Sequence, residues 1–120
     1  MNWAQKSAQS FARQWIGAWN SHDLTAIMQL YADDIVFQSP YIIKLGMNEE
    51  GVITSKSELE TYFSKALTVY SDLHFELHEV LCGASSVILL YKSVNDRMAA
   101  ELMQLDAEGK ISLVKAHYNQ

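Results

Sequence analysis

Apolar residues at the start of the chain recur with a helical period. Ala4, Ala8, Phe11, Ala12, Trp15, Ile16 and Trp19 fall on one stripe, which predicts a long amphipathic helix with an unusually aromatic face. The stripe breaks at Asn20–Asp23, and Asp23 is placed to cap a second, short helix with Leu24, Ile27, Met28 and Tyr31 on its inner side. Asp33 and Asp34 then read as a tight solvated turn, Ile35–Ser39 as a strand, and Pro40 as its stop. The stretch Tyr41–Gly51 shows no period. Ser55 and Glu58 form a capping-box pattern ahead of a third helix that carries Leu59, Tyr62, Phe63, Ala66 and Leu67 on one side.

From Leu73 onward the period falls to two. Leu73, Phe75 and Leu77 alternate with His74, Glu76 and His78, and Cys82–Ser85 turns the chain. Val87–Val94 is more uniformly apolar and reads as a strand buried on both faces. Asn95-Asp96 and Asp106–Gly109 are hairpin signals, the second ending in a left-handed glycine. In the last strand Ile111 and Leu113 share one face, but Val114, Ala116 and Tyr118 share the other. That switch of phase predicts a β-bulge near Leu113–Val114, or else a strand buried on both faces. The elements sum to an α+β fold, with three helices from the N-terminal half packed on one face of a curved, mostly antiparallel sheet.

Composition narrows the functional classes. With 120 residues, 49% hydrophobic and 19% charged, residues 1–120 read as a single domain able to bury about two thirds of its unfolded surface. A formal charge of −5 argues against nucleic-acid binding, which needs cations to neutralise phosphates. The single cysteine, Cys82, cannot close an internal disulfide. No apolar run approaches the roughly 18 residues of a membrane span, and MNWAQKSAQS lacks the apolar core of a secretion signal. A cytoplasmic protein without membrane or nucleic-acid partners is expected.

The segments FARQWIGAWNSHDLTAIMQLYADDIVFQSP, SKSELETYFSKAL and LMQLDAEGKISLVKAHY resemble, in that order, the nuclear-transport-factor-2-like superfamily, which includes ketosteroid isomerases and SnoaL-like polyketide cyclases. The resemblance implies a cone-shaped domain whose bent sheet wraps the helices around a deep pocket, frequently in a dimer. Ketosteroid isomerases place a catalytic aspartate just before the proline of the YADD…P segment. Here Ser39 stands there, and a hydroxyl is no carboxylate base near neutral pH, which counts against steroid isomerisation. The family's oxyanion hole pairs a first-helix tyrosine with a protonated acid on a late strand. Trp15 and Glu101 occupy those positions, and Phe63 falls where some isomerases carry a supporting tyrosine. Tyr118 matches a position that lines the cavity.

Glu101 is the sharpest candidate for catalysis. Strand alternation groups it with Met103 and Leu105, and burial there would raise its pKa toward a useful acid or base value. The competing reading is a surface ion pair, because a three-residue loop at Ala107–Gly109 would set Lys115 opposite it. A bulge would break that register. His74 and His78 lie roughly 13 Å apart on a strand, too far for one metal ion, so neither a metal nor another cofactor is implied. His22 reads as structural and His117 as solvated. Trp15, Trp19, Phe37, Ser39, Tyr41, Phe63, Phe75, Met103 and Tyr118 are the candidate pocket residues around Glu101. Such a lining suits a small apolar or aromatic molecule, bound by an enzyme of cofactor-free acid/base isomerisation, cyclisation or dehydration or by a non-catalytic ligand-binding module. A dimeric interaction scaffold with a vestigial cavity is the third reading. The apolar outer face of Val87–Val94 further suggests a homodimer through the sheet.

Overall fold

In the computed structural model, which describes residues 5–119, the aromatic stripe forms α1 (Gln5–Ser21). Ala8, Ala12, Trp15 and Trp19 are buried, and Ala4 lies outside the described residues. α1 stops where His22 takes a left-handed φ of 59°. The same break fastens a distant segment. The Asn20 amide donates to Phe75 C=O at 2.9 Å and accepts from Phe75 N–H at 2.7 Å. His22 Nε2 lies 2.7 Å from Leu73 C=O, and since a carbonyl only accepts, that nitrogen carries the proton. Leu73 and Phe75 are therefore buried by the end of α1 and not by a strand. The following strand begins later than the alternation suggests, at Glu76.

Asp23 accepts from Ala26 N–H at 3.2 Å and caps α2 (Leu24–Met28) as expected. α2 ends three residues short of Tyr31, which instead opens β1 (Tyr31–Gln38). Asp33 and Asp34 thus belong to a strand and not to a turn. β1 leaves its ladder there: Tyr31 pairs with Ile111 and Val36 with Leu113, and between them Ala32 and Ile35 stay buried while both carboxylates stand in solvent. Ser39 and Pro40 do more than stop the strand. Ser39 is extended and accepts from Tyr41 N–H at 3.2 Å, and Pro40 fills a first-turn position of α3 (Pro40–Lys44), where its missing N–H costs nothing. The helices thus number four among the described residues, one more than the sequence suggested, and the fourth lies in the stretch without period. β2 (Val52–Ile53) pairs with β1. α4 (Lys56–Val69) starts as the capping pattern requires, with Ser55 Oγ accepting from Glu58 N–H at 3.3 Å.

The other strands are β3 (Glu76–Cys82), β4 (Ser86–Lys92), β5 (Met98–Leu105) and β6 (Ile111–Tyr118). One six-stranded sheet runs β2-β1-β6-β5-β4-β3, antiparallel throughout except for the parallel pair β1–β6. Both hairpin signals hold. Asn95 and Asp96 each have φ 57°, the left-handed conformation that suits Asn and Asp at a tight turn, and Gly109 (φ 81°) closes the other. The bulge is present one residue earlier than expected: Gln104 faces Leu113 and Leu105 faces Ile111, leaving Ser112 as the extra residue. On β4, Val87, Leu89 and Tyr91 are buried beneath the helices, whereas Ile88 and Leu90 on the outer face are only half-buried. No helix among the described residues is long and apolar enough to cross a membrane.

Candidate functional site

The bulge at Ser112 decides the surroundings of Glu101. Without it Lys115 would stand opposite; with it Lys115 faces Leu102, and the cross-strand neighbours of Glu101 are Ala116 on β6 and Leu89 on β4. Glu101 is 3% exposed, between the buried Ala99 and Met103 on its own strand face. Its one strong contact is with Tyr91, whose hydroxyl donates to Oε1 at 2.6 Å. Burial pushes the carboxyl up to about 7, and the Tyr91 hydrogen bond partly opposes that rise.

Tyrosines surround this acid. Tyr31, 1% exposed, accepts through its hydroxyl from Trp15 Nε1 at 3.0 Å. Tyr31, Tyr62, Tyr91 and Tyr118 all have pKa values raised, chiefly by burial, with the negative charge of Glu101 adding to it. Ser39 acts in the opposite direction on Tyr62 and Tyr118. The hydroxyls therefore stay protonated at any physiological pH and can only donate toward a carboxylate or a developing oxyanion. Glu101 is the one group among them that titrates near neutrality.

A cavity of about 50 Å3 opens beside Glu101. Trp15, Trp19, Phe63 and Phe75 wall it, with Trp15 stacked on Phe75 at 5.6 Å between centroids and Trp19 edge-on to Phe63 at 4.7 Å. Phe37, Tyr41 and Tyr118 also line it. Of the other residues singled out in the sequence, Met103 is fully buried outside the lining, and Ser39 is buried as the cap of α3. Tyr118 points to the cavity while its neighbour His117 is exposed. His74 and His78 are exposed as well. Sequence reasoning overlooked Tyr62, Tyr70 and Tyr91 as lining residues. Tyr91 had a readable signal, since alternation places it on the face of Val87 and Leu89. The Tyr41 hydroxyl at the cavity is buried without a hydrogen-bond partner among the described residues and can donate to a ligand oxygen, whereas the Trp19 N–H is directed to the Tyr31 hydroxyl, whose pKa it lowers.

A helical layer held by a mostly antiparallel six-stranded sheet defines an α+β domain of the cone type. The chain belongs to the SnoaL-like domain family, whose sequence profile matches residues 12–111. A SnoaL-like protein of unknown function from Burkholderia thailandensis shares 35% identity over all of both chains, with a TM-score of 0.94. An NTF2-like protein of unknown function from Cytophaga hutchinsonii is 14% identical, with 93% of this chain and 89% of that one covered and a TM-score of 0.71. An epoxide hydrolase/cyclase-like enzyme with a role in pyran ring formation in the polyether salinomycin is 16% identical, with 97% and 93% covered and a TM-score of 0.76. The last two likenesses concern the fold alone. No protein of curated function matches the chain.

Proposed function

We propose that the protein binds a small, mainly apolar or aromatic molecule in the cavity and moves a proton on it with Glu101, in a cofactor-free isomerisation, cyclisation or dehydration. One observation carries this reading: a carboxyl buried without a cationic partner among the described residues, raised to about 7, beside an aromatic cavity. A group with that pKa exists in both forms at neutral pH, which suits it to take a proton at one substrate atom and return it at another. Tyr91 fixes the carboxyl through Oε1, and the Tyr41 hydroxyl is available to a substrate oxygen. The likeness to a cyclase-like enzyme supports the reading at the level of fold only.

The cavity volume favours a second reading. An apolar cavity that admits benzene measures about 150 Å3, so at about 50 Å3 this one takes an aromatic ligand only if side chains at its mouth, such as the half-exposed Tyr70 and Val94, swing aside. If they do not, the fold serves as a scaffold. NMR titration of the Glu101 carboxyl carbon tests the catalytic reading. The expected midpoint is near 7, and Tyr91→Phe, which removes the hydrogen bond that lowers it, should move it higher. A midpoint in the ordinary carboxylate range would withdraw Glu101 as the acid/base group.

Steroid isomerisation is expected to be undetectable. Ser39 is no base and its hydroxyl caps α3, and the cavity is far too small for a steroid. Turnover of a Δ5-3-ketosteroid by the unmodified protein, followed by absorbance, would overturn this.

The reading includes a homodimer through the outer sheet face. Leu81, 53% exposed, pairs with Ile88, which pairs with Leu102, and together they make an apolar stripe that a second copy would cover. Light scattering at micromolar concentration should give twice the chain mass, and Ile88→Lys should halve it. A monomer before substitution would contradict the arrangement.

A further inference from the structure

A second depression lies against the cavity wall. It encloses about 280 Å3 and is lined by Pro40, Tyr41, Lys44, Arg97, Tyr118 and Asn119. Tyr41 and Tyr118 line the Glu101 cavity too and meet edge to face, 4.7 Å between centroids, so the pair forms a wall common to both compartments.

Among the described residues the lining of this cleft holds two cations and no carboxylate, in a chain of net charge −5. Lys44 Nζ sits 5.2 Å from the centre of the Tyr41 ring. Arg97 donates to Asn119 C=O at 2.8 Å, which uses one of its five N–H groups. Neither cation belongs to the ion pairs seen among the described residues, Lys56–Asp33 and Lys92–Asp96. The second of these matters here, because it engages Asp96, the carboxylate next to Arg97 in sequence, with Lys92 at 3.2 Å. The positive charge of Arg97 acts on both Tyr41 and Tyr70, opposing the rise that burial gives their pKa values. The wall itself supplies the independent indication of a ligand: Tyr41 is 7% exposed, and its hydroxyl is buried with no partner among the described residues. A buried donor without an acceptor carries a cost that a bound oxygen removes.

Resting on the reading that the cavity takes an apolar or aromatic body, we propose that the ligand is an amphipathic carboxylate. Arg97 and Lys44 hold its anionic end in the outer cleft, and its apolar body reaches toward Glu101 once the contact between Tyr41 and Tyr118 opens. The planar guanidinium suits a carboxylate's two oxygens and the lysine adds a point charge. On an acidic protein that repels anions at long range, a local pair of cations is what admits one. Anchoring at the far end would also present the same substrate atom to Glu101 each time.

Phenylacetate and phenylacetamide, alike in shape and unlike in charge, test this by NMR titration at pH 7 and low salt. Phenylacetate should bind at least about tenfold more tightly, shifting signals of Arg97 and Tyr41 together with those of Phe75 and Tyr91. Arg97→Gln should abolish the preference by weakening phenylacetate binding. Lys44→Gln, at an exposed position where folding is not in question, should reduce the preference severalfold. Equal affinities for the two probes, or no effect of either variant, would overturn the carboxylate assignment and leave the apolar-cavity reading standing. Shifts confined to the cleft, with Phe75 and Tyr91 unmoved, would overturn that cavity reading and the proposal with it. So would the failure of both probes to bind.

Discussion

Glu101→Gln should stabilise the protein above pH 7, by about 3 kcal/mol relative to the unmodified chain. The cause is linkage. The folded state holds the Glu101 proton with a pKa of about 7, against 4.5 for the unperturbed group, so over that interval the native chain binds more protons than the unfolded one. Stability associated with this group is fully present below about 4.5, declines as pH rises through 7, and is level beyond. A rise of this size corresponds to about 3 kcal/mol. Glutamine cannot ionise, and its side-chain oxygen can still accept from Tyr91. Thermal unfolding of both proteins from pH 4 to 9 should show curves that nearly coincide at the acid end and separate by about 10 °C at the alkaline end. The remaining carboxylates are common to both proteins and cancel in the difference. A constant offset across the whole range would mean that Glu101 is not desolvated. An enzyme that keeps a destabilising carboxylate trades stability for chemistry, so the same variant should abolish any turnover that depends on proton transfer.

Trp15→Ala should cost about 5 kcal/mol, close to the whole stability of a domain this size. Trp15 is 1% exposed. Its ring touches Trp19, Phe75 and Tyr91 at 5.2–6.2 Å between centroids, and its N–H supplies the hydrogen bond to the buried Tyr31 hydroxyl. Alanine would leave a large void and remove that donor together. Trp15→Phe separates the two effects: most of the packing remains, the donor goes, and the loss should be about 1–3 kcal/mol. Urea unfolding gives both values, as a lowered midpoint with an unchanged slope. An alanine variant as stable as the phenylalanine one would show that the aromatic cluster around Glu101 repacks freely, and a rigid acid site could not then be built on it.

Several features of this molecule were present in the order of its residues. The stripe Ala8–Ala12–Trp15–Trp19 gave α1 its buried face, Ser55 and Asp23 marked the starts of two helices, and Asn95-Asp96 and Gly109 marked two hairpins. Even the bulge was visible, because Ile111 and Val114 cannot both point inward on a regular strand, and from it followed the apolar neighbours of Glu101. These are local properties: helical and strand periods, caps and turns depend on residues a few positions apart, and such residues are adjacent in the chain whatever the fold.

Other features needed the tertiary structure. α3 was hidden because a helix of five residues carries no measurable period, and the capping role of Ser39 was hidden with it. Asp33 and Asp34 resembled a turn because β1 leaves its ladder there, and only the parallel pairing with β6 keeps the segment a strand. Most of all, the residues gathered around Glu101 come from α1, β1, α4, β4 and β6. Tyr31, Tyr62, Tyr91 and Tyr118 lie on four different elements and read singly as ordinary core or strand residues. Which side chains share one cavity is set by long-range pairing of strands and by the packing of helices on them, contacts between positions tens of residues apart that no local pattern encodes.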